Sequence, residues 1–260
     1  MNDLKFEVHI CEHCNLNCKG CYHFSPLAEK EFLDTEEWEH HCERLAFLFD
    51  SRMEFISLMG GEPLLHPKIC KLLEITRKAF PIGDVSIITN GILLLKMSHD
   101  FWDACKKYRV SIRLTKYPID LDFDEIERKA SEENVNLFYF NKGVKTLGRQ
   151  PLDLTGSQPS ESNFKNCYRN NTCIAFSKGK LYSCFIPAHL HHLKSYFNLN
   201  IELFEKDGVD IYSVDSADEI RKHLAKPMET CRYCIRNLCV RDGIDWAVSE
   251  KELKEWVERE

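Results

Sequence analysis

Hydrophobic and polar positions change period repeatedly through the first 140 residues, and the changes mark out alternating strands and helices. Residues 5–10 (Lys-Phe-Glu-Val-His-Ile) alternate with period two, the pattern of a strand with one buried face. Across residues 34–50, Trp38, Cys42, Leu45, Leu48 and Phe49 recur at helical spacing behind an acidic start, Asp34-Thr35-Glu36-Glu37. Carboxylates suit the positive end of a helix dipole, so this start is favourable. Residues 53–59 read as a second strand, ending in Gly60-Gly61-Glu62-Pro63. A helix over 67–80 leads to a strand over 84–89, which ends in Asn90-Gly91. A helix over 98–108 precedes a strand over 110–115, and a helix over 125–133 precedes a strand over 136–140. Strands alternating with helices of this length predict βαβ units and an α/β fold with a parallel sheet. Such sheets bind ligands beyond the carboxyl ends of their strands.

The pattern changes at Gln150. Residues 151–164 (PLDLTGSQPSESNF) are rich in Pro, Ser and Gly and read as a connecting loop. Lys178-Gly179-Lys180 reads as a hairpin turn. Residues 249–260 have the spacing of a charged amphipathic helix with Leu253, Trp256 and Val257 on one side. The predicted organisation is a core over 1–150, a smaller domain over 151–248 and a C-terminal helix over 249–260.

Composition sharpens this picture. A chain of 260 residues buries enough surface to be stable without covalent staples, which makes 13 cysteines conspicuous. The opening residues MNDLKFEVHI lack the basic-then-apolar pattern of a signal peptide. No apolar run reaches membrane-spanning length. These features predict a cytoplasmic protein with no membrane partner, whose thiols stay reduced and serve metals. A net charge of -6 gives no global attraction to nucleic acid or to an anionic membrane. The basic stretch over 141–149, with Lys142, Lys145 and Arg149, reads as a solvated loop, with contact to an anionic substrate as the alternative.

The densest chemistry lies in Cys14, Cys18 and Cys21, with three and then two residues between them. Cubane iron–sulfur clusters take one thiolate per iron, so three cysteines leave one iron free. An open metal position is where a substrate or cofactor binds. A zinc ribbon would instead want cysteine pairs separated by a longer loop. With Gly60-Gly61-Glu62-Pro63 behind the second strand and Thr89-Asn90-Gly91 behind the third, this motif resembles the radical S-adenosylmethionine (SAM) enzymes over most of the chain. The resemblance implies a partial (β/α)6 barrel and a [4Fe–4S] cluster on Cys14, Cys18 and Cys21, with SAM on the open iron. It further implies that Gly60 and Gly61 let the backbone approach the methionine part of SAM, while Glu62 or nearby carbonyls hold its amino group. Thr89 and Asn90 would lie near its ribose and carboxylate, and Thr115 at the fourth strand would also reach the carboxylate. The family's aromatic residue before the third cysteine is replaced by Gly20, so adenine is expected against the backbone at Gly20 and the ring of Tyr22 or Phe24.

The later cysteines resemble a SPASM extension, or its shortened twitch form, which binds auxiliary [4Fe–4S] clusters. Cys167, Gly179 and Cys184 follow its opening pattern and Cys231-Arg232-Tyr233-Cys234 supplies a CxxC pair. The thiol count implies one auxiliary cluster, with Cys167 or Cys173 as first ligand; a four-thiolate zinc site is the alternative. Cys11 and Cys239 are spare. Cys42, Cys70 and Cys105 read as small hydrophobes within helices. The adjacent pairs His40-His41 and His191-His192 cannot turn both rings to one metal on a helix or strand. The resemblance also implies an external one-electron reductant such as flavodoxin or ferredoxin, reductive cleavage of SAM, and hydrogen abstraction from a substrate carbon. Size and cysteine layout resemble dehydrogenases that oxidise a secondary alcohol of an amino-cyclitol in butirosin biosynthesis, and bacterial members linked to surface-glycan genes. The substrate expected is a small carbohydrate-like molecule undergoing dehydrogenation or epimerisation. Peptide modification and a non-catalytic iron–sulfur role are the alternatives. Arg113, Lys116, Tyr117 and Lys142 are candidate substrate contacts by position.

Overall fold

The computed structural model of the protein describes residues 4–141, 143, 145–170, 172, 174–238 and 240–259. The chain divides into two compact units, Met1–Glu12 with Glu31–Val144, and His13–Lys30 with Lys145–Glu260. The three-cysteine segment, placed by sequence in a core over 1–150, therefore groups with the second unit. The segment has backbone partners at Ala247 and Ser249, near the C-terminal end of the chain, which no local pattern announces.

In the first unit five parallel strands lie side by side in chain order: β1 (Leu4–Cys11), β2 (Arg52–Gly60), β3 (Ile82–Thr89), β4 (Val110–Thr115) and β5 (Leu137–Asn141). The helices α1 (Thr35–Leu48), α2 (Ile69–Ala79), α3 (His99–Lys107) and α4 (Phe123–Glu132) connect them. This is the α/β arrangement expected of a partial barrel. Asp34 caps α1, accepting from the N–H groups of Glu36 at 2.8 Å and Glu37 at 3.2 Å. Such a cap stabilises a helix by about 1 kcal/mol. Trp38, Cys42, Leu45 and Leu48 form the buried side of α1, and the Trp38 indole donates to Thr76 Oγ1 on α2 at 2.9 Å.

The two faces of this sheet differ in chemistry. Phe6, Val8, Ile10, Ile56, Leu58, Val85, Ile87, Ile112 and Leu114 share one face and are all buried. Burying each such side chain stabilises the fold by roughly 1.5–3 kcal/mol. On the other face strand register aligns Glu7, Ser57, Ser86 and Ser111 in one row across β1 to β4.

The second unit is built of short elements. β8 (Ala175–Ser177), β9 (Lys180–Tyr182) and β10 (Gly208–Asp210) form an antiparallel group, with β9 between the other two, after β6 (Thr146–Arg149), β7 (Leu152–Asp153) and α5 (Ser160–Lys165). The predicted turn between β8 and β9 is present, with φ of 48° at Lys178 and 74° at Gly179. Two central residues at positive φ match the twist of a two-residue hairpin. α6 (Phe185–Tyr196) follows β9 in the chain and α7 (Ala217–Leu224) follows β10. β11 (Val240–Asp245) pairs with β6, and β12 (Val257–Arg259) pairs with β7. Phe24, Leu27, Leu152, Phe185, Leu193, Tyr233 and Trp256 are buried together in one core.

Two sequence expectations fail here. Residues 151–164 are not a plain connecting loop but hold β7 and the start of α5. Asp153 organises them, accepting from Thr155 N–H at 3.0 Å, Ser157 Oγ at 3.0 Å and Gln158 Nε2 at 2.6 Å. Residues 249–260 are not a helix. They form a single 3-10 turn, Leu253–Glu255, followed by β12. Trp256 and Val257 are adjacent and both buried, and the Trp256 and Arg259 carbonyls accept from Leu152 N–H at 2.9 Å and Leu154 N–H at 2.7 Å. Backbone pairing with β7 replaces the helical ladder that the spacing of Leu253 and Trp256 predicts. Among the described residues no helix is long and apolar enough to cross a membrane.

Candidate cluster and cofactor site

The segment carrying Cys14, Cys18 and Cys21 is wound tightly by three left-handed residues, with φ of 51° at Asn17, 63° at Gly20 and 55° at Phe24. Local hydrogen bonds hold the coil: Cys21 N–H donates to Cys18 O at 3.2 Å and Phe24 N–H to Cys21 O at 3.0 Å. Leu16 N–H donates to the Cys14 sulfur at 3.4 Å. The rest of the support comes from more than 220 residues away in the chain. Lys19 N–H donates to Ala247 O and Ser249 N–H to Asn17 O, both at 2.8 Å. Cys18 forms an antiparallel bridge with Val248. The Trp256 indole donates to Cys21 O at 2.9 Å, and the Trp246 indole donates to Cys18 Sγ at 3.2 Å. Gly20 fits this packing for a steric reason: a Cβ there would lie 3.2 Å from Glu255 O.

The eleven cysteines among the described residues are all free thiols. Cys14 and Cys21 are half-buried and Cys18 is buried. Burial pushes the Cys21 thiol up, against opposing hydrogen bonds from His23, Ser25 and Phe24. A thiol that resists ionising alone is stabilised as a thiolate by a metal. Three soft sulfur donors in eight residues, already bonded by N–H groups, fit three corners of an iron–sulfur cluster. Of the adenine candidates, Phe24 is 1% exposed within the core. Tyr22 stacks on Phe185 with ring centroids 5.6 Å apart, and the Arg169 guanidinium lies 4.4 Å from its centroid. Neither ring is the freely presented platform that the sequence suggests. His23, next in the chain, packs against Phe185 at 4.9 Å and His189 at 5.8 Å.

The second set of thiols comes from three separate segments of the same unit. Cys167 follows α5, Cys184 precedes α6, and Cys231 lies within a 3-10 turn, Glu229–Tyr233, which Cys234 directly follows. Burial pushes the Cys184 thiol well up, and its neighbours Cys234, Cys167 and Cys231 push it further. Cys231 is pushed up to about 12, by burial first and then by Asp207 and Cys167. Cys167, Cys231 and Cys234 lie near enough to Cys184 to raise it, and the four form a donor set that fits a [4Fe–4S] cluster. Cys173 and Cys239 lie outside the described residues. Sequence reasoning missed two supports. Asn163 Nδ2 donates to both Cys231 O and Cys234 O, at 3.0 and 2.7 Å. Asp207 accepts from the N–H groups of Glu229 and Thr230 at 2.7 and 2.8 Å. An Asn 68 residues before the CxxC has no periodic signature to betray it.

In the first unit, Gly60, Gly61, Glu62, Thr89, Asn90 and Thr115 all fall at the carboxyl ends of β2, β3 and β4. Gly60 has φ of 130°, and a Cβ there would lie 2.1 Å from Cys11 O, so glycine is needed for β1 and β2 to approach. Gly61 N–H donates to Cys11 O at 2.8 Å. Glu62 is fully buried. Its carboxylate accepts from Thr89 Oγ1 at 2.7 Å, Asn90 N–H at 3.0 Å and Leu64 N–H at 3.1 Å. Glu62 thus joins the ends of β2 and β3 in place of presenting an open acid. Burial pushes it up to about 7, against these three hydrogen bonds. Of the three helical cysteines read as small hydrophobes, Cys42 and Cys105 are buried, whereas Cys70 is half-buried with its thiol 3.7 Å from Asp100 O.

On the polar sheet face, Glu7 Oε1, Ser86 Oγ, Ser111 Oγ and Arg113 Nε are buried with no hydrogen-bond partner among the described residues. Arg113 lies over the Phe55 ring at 4.3 Å, 3.6 Å from Asp84. Lys116 lies over Phe123 at 4.5 Å. Lys142 is outside the described residues.

Residues 8–135 match the model of the Radical SAM superfamily, a span that contains Cys14, Cys18, Cys21, Gly60, Gly61, Glu62, Thr89, Asn90 and Thr115. A GTP 3',8-cyclase of Chlorobaculum tepidum is 34% identical over 87 residues, 34% of this chain and 26% of the cyclase. A probable GTP 3',8-cyclase of Methanococcus maripaludis is 30% identical over 156 residues, 56% of this chain and 47% of that protein. The chain thus spans less than half the length of either curated relative. The crystal structure of BtrN in complex with AdoMet and 2-DOIA is similar in fold, with a TM-score of 0.56 and 18% identity over 90% of this chain and 94% of BtrN. The chain carries a radical SAM domain, of the superfamily whose enzymes work with a [4Fe–4S] cluster and S-adenosylmethionine.

Proposed function

We propose that the protein is a radical SAM enzyme that removes a hydrogen atom from a carbon of a hydroxylated small molecule, of the sugar, cyclitol or nucleotide-sugar class, and dehydrogenates or epimerises it. The observation that carries this reading is the polar face of the parallel sheet. Four buried polar atoms there, on Glu7, Ser86, Ser111 and Arg113, are without a hydrogen-bond partner among the described residues. Each such orphan costs about 1–3 kcal/mol, and native proteins keep few of them without a reason. A ligand with several hydroxyl groups satisfies a row of this kind. Glu7 is pushed up to about 8 by burial, so at neutral pH it is largely protonated and donates a hydrogen bond.

Cys14, Cys18 and Cys21 would hold the SAM-binding cluster, and Cys167, Cys184, Cys231 and Cys234 an auxiliary one. When bound, the cluster and SAM supply a strong abstractor of hydrogen atoms after delivery of one electron by an external reductant such as flavodoxin or ferredoxin. The chain's own residues position and shield. Gly60 brings the ends of β1 and β2 together. Glu62 fixes Thr89 and Asn90 at the end of β3, where they would meet the polar part of SAM. The polar row would orient the substrate's hydroxyls, and the apolar face behind it excludes water. Free thiols in this number suit a reducing cytosol.

The names of the curated relatives favour a second reading, action on GTP. One experiment separates the two. The protein is reconstituted anaerobically with iron and sulfide, then given SAM and dithionite with inositols, amino-cyclitols, nucleotide-sugars or GTP. The expected result is about eight irons per chain, with 5'-deoxyadenosine formation stimulated by a hydroxylated carbocycle or sugar. Stimulation by GTP alone would establish the second reading. Eight irons with no SAM cleavage would end both.

A further inference from the structure

We propose that Trp246 sets the reduction potential of the cluster on Cys14, Cys18 and Cys21 by donating its indole N–H to the Cys18 sulfur. The inference rests on the assignment of that cluster to these three cysteines. The contact is 3.2 Å from Nε1 to Sγ, and an indole nitrogen can only donate.

The donor is held before any ligand arrives. Trp246 directly follows β11, whose Ile244 and Asp245 pair with Leu147 and Thr146 of β6. Trp246 N–H donates to Lys145 O at 3.0 Å, which extends that pairing by one step. The next three residues grip the chain around Cys18: Ala247 O accepts from Lys19, Val248 bridges Cys18, and Ser249 donates to Asn17. Backbone contacts on both sides of Cys18 and strand pairing up to Trp246 thus fix the two backbone positions from which the sulfur and the indole meet.

A sulfur that ligates iron carries negative charge, and a cluster gains more on reduction. An N–H aimed at that sulfur stabilises the reduced state more than the oxidised one and raises the potential. Trp256 provides the internal contrast. It is a second indole from the same C-terminal segment, but it donates to the carbonyl of Cys21 and not to a sulfur.

The test is a redox titration of the full-length reconstituted protein followed by electron paramagnetic resonance, reading the signal that responds to SAM. Trp246→Phe is expected to move the midpoint of that signal to a more negative potential at unchanged iron content, with the other cluster unmoved. Trp256→Phe is expected to leave the midpoint near that of the wild type. If Trp246→Phe binds iron poorly, benzothienylalanine at position 246 keeps the bicyclic shape and lacks the N–H, and the same negative shift is expected. An unchanged midpoint in a variant with full iron, or an equal shift in Trp256→Phe, would overturn the proposal. A SAM-responsive signal that survives Cys18→Ala would instead overturn the cluster assignment beneath it.

Discussion

The two thiol sets of this chain occupy the same unit but are made in opposite ways. Cys14, Cys18 and Cys21 lie within eight residues, partly accessible, on a loop whose outer supports come from Trp246, Ala247, Ser249 and Trp256. Cys167, Cys184, Cys231 and Cys234 come from distant segments, and burial together with neighbouring thiols makes Cys184 and Cys231 harder to ionise. The first set is local in sequence and depends on remote support. The second is remote in sequence and supported nearby, by Asn163 and Asp207. A three-ligand set suits an iron that must take an exogenous ligand, and a four-ligand set suits a cluster closed to exchange.

The largest expected effect breaks the first set. Cys21→Ala should abolish SAM cleavage, measured as 5'-deoxyadenosine by chromatography, and lower bound iron by about four per chain. Next, Cys184→Ala should also remove about four irons, yet leave measurable SAM cleavage while substrate turnover is lost. Equal loss of cleavage in both variants would erase the functional difference between the sets.

Smaller effects concern the supports. Asn163→Ala removes two hydrogen bonds from the CxxC carbonyls and should cost about 1–3 kcal/mol, seen as earlier urea unfolding and faster loss of the auxiliary cluster. Glu62 contributes a pH dependence. Its carboxyl is raised by burial from the ordinary 4.5 to about 7, so the folded state binds the extra proton between these values. The contribution to stability is full below the unfolded value and is lost as pH rises through about 7. Thermal melting of Glu62→Gln should therefore decline less than that of the wild type between the two values. Trp256→Phe deletes one hydrogen bond and removes buried ring volume, and should cost about 1–3 kcal/mol, seen as a lower melting temperature.

Legibility followed the range of the contacts. The five parallel strands and the Asp34 start of α1 were readable because apolar period and capping are local. Cys14, Cys18 and Cys21 were readable as donors because their spacing alone carries the chemistry. The supports were not. Nothing near Cys18 announces Trp246, and the C-terminal residues that form the support have the spacing of a helix, which pairing with β7 overrides. Glu62 was readable as a site residue, but its function as the hub joining Thr89 and Asn90 appears only when β2 and β3 lie side by side. The row of Glu7, Ser57, Ser86 and Ser111 likewise exists only in register, since each member is a single polar residue in its own strand.

The central claim is that one thiol set leaves an iron open to SAM and the other does not. Electron paramagnetic resonance of the reduced, reconstituted protein with and without SAM tests it most directly, in Cys18→Ala and in Cys231→Ala. The account predicts that SAM changes the signal of Cys231→Ala and leaves that of Cys18→Ala unaltered. A SAM-induced change in Cys18→Ala, or none in Cys231→Ala with its remaining cluster intact, would contradict it.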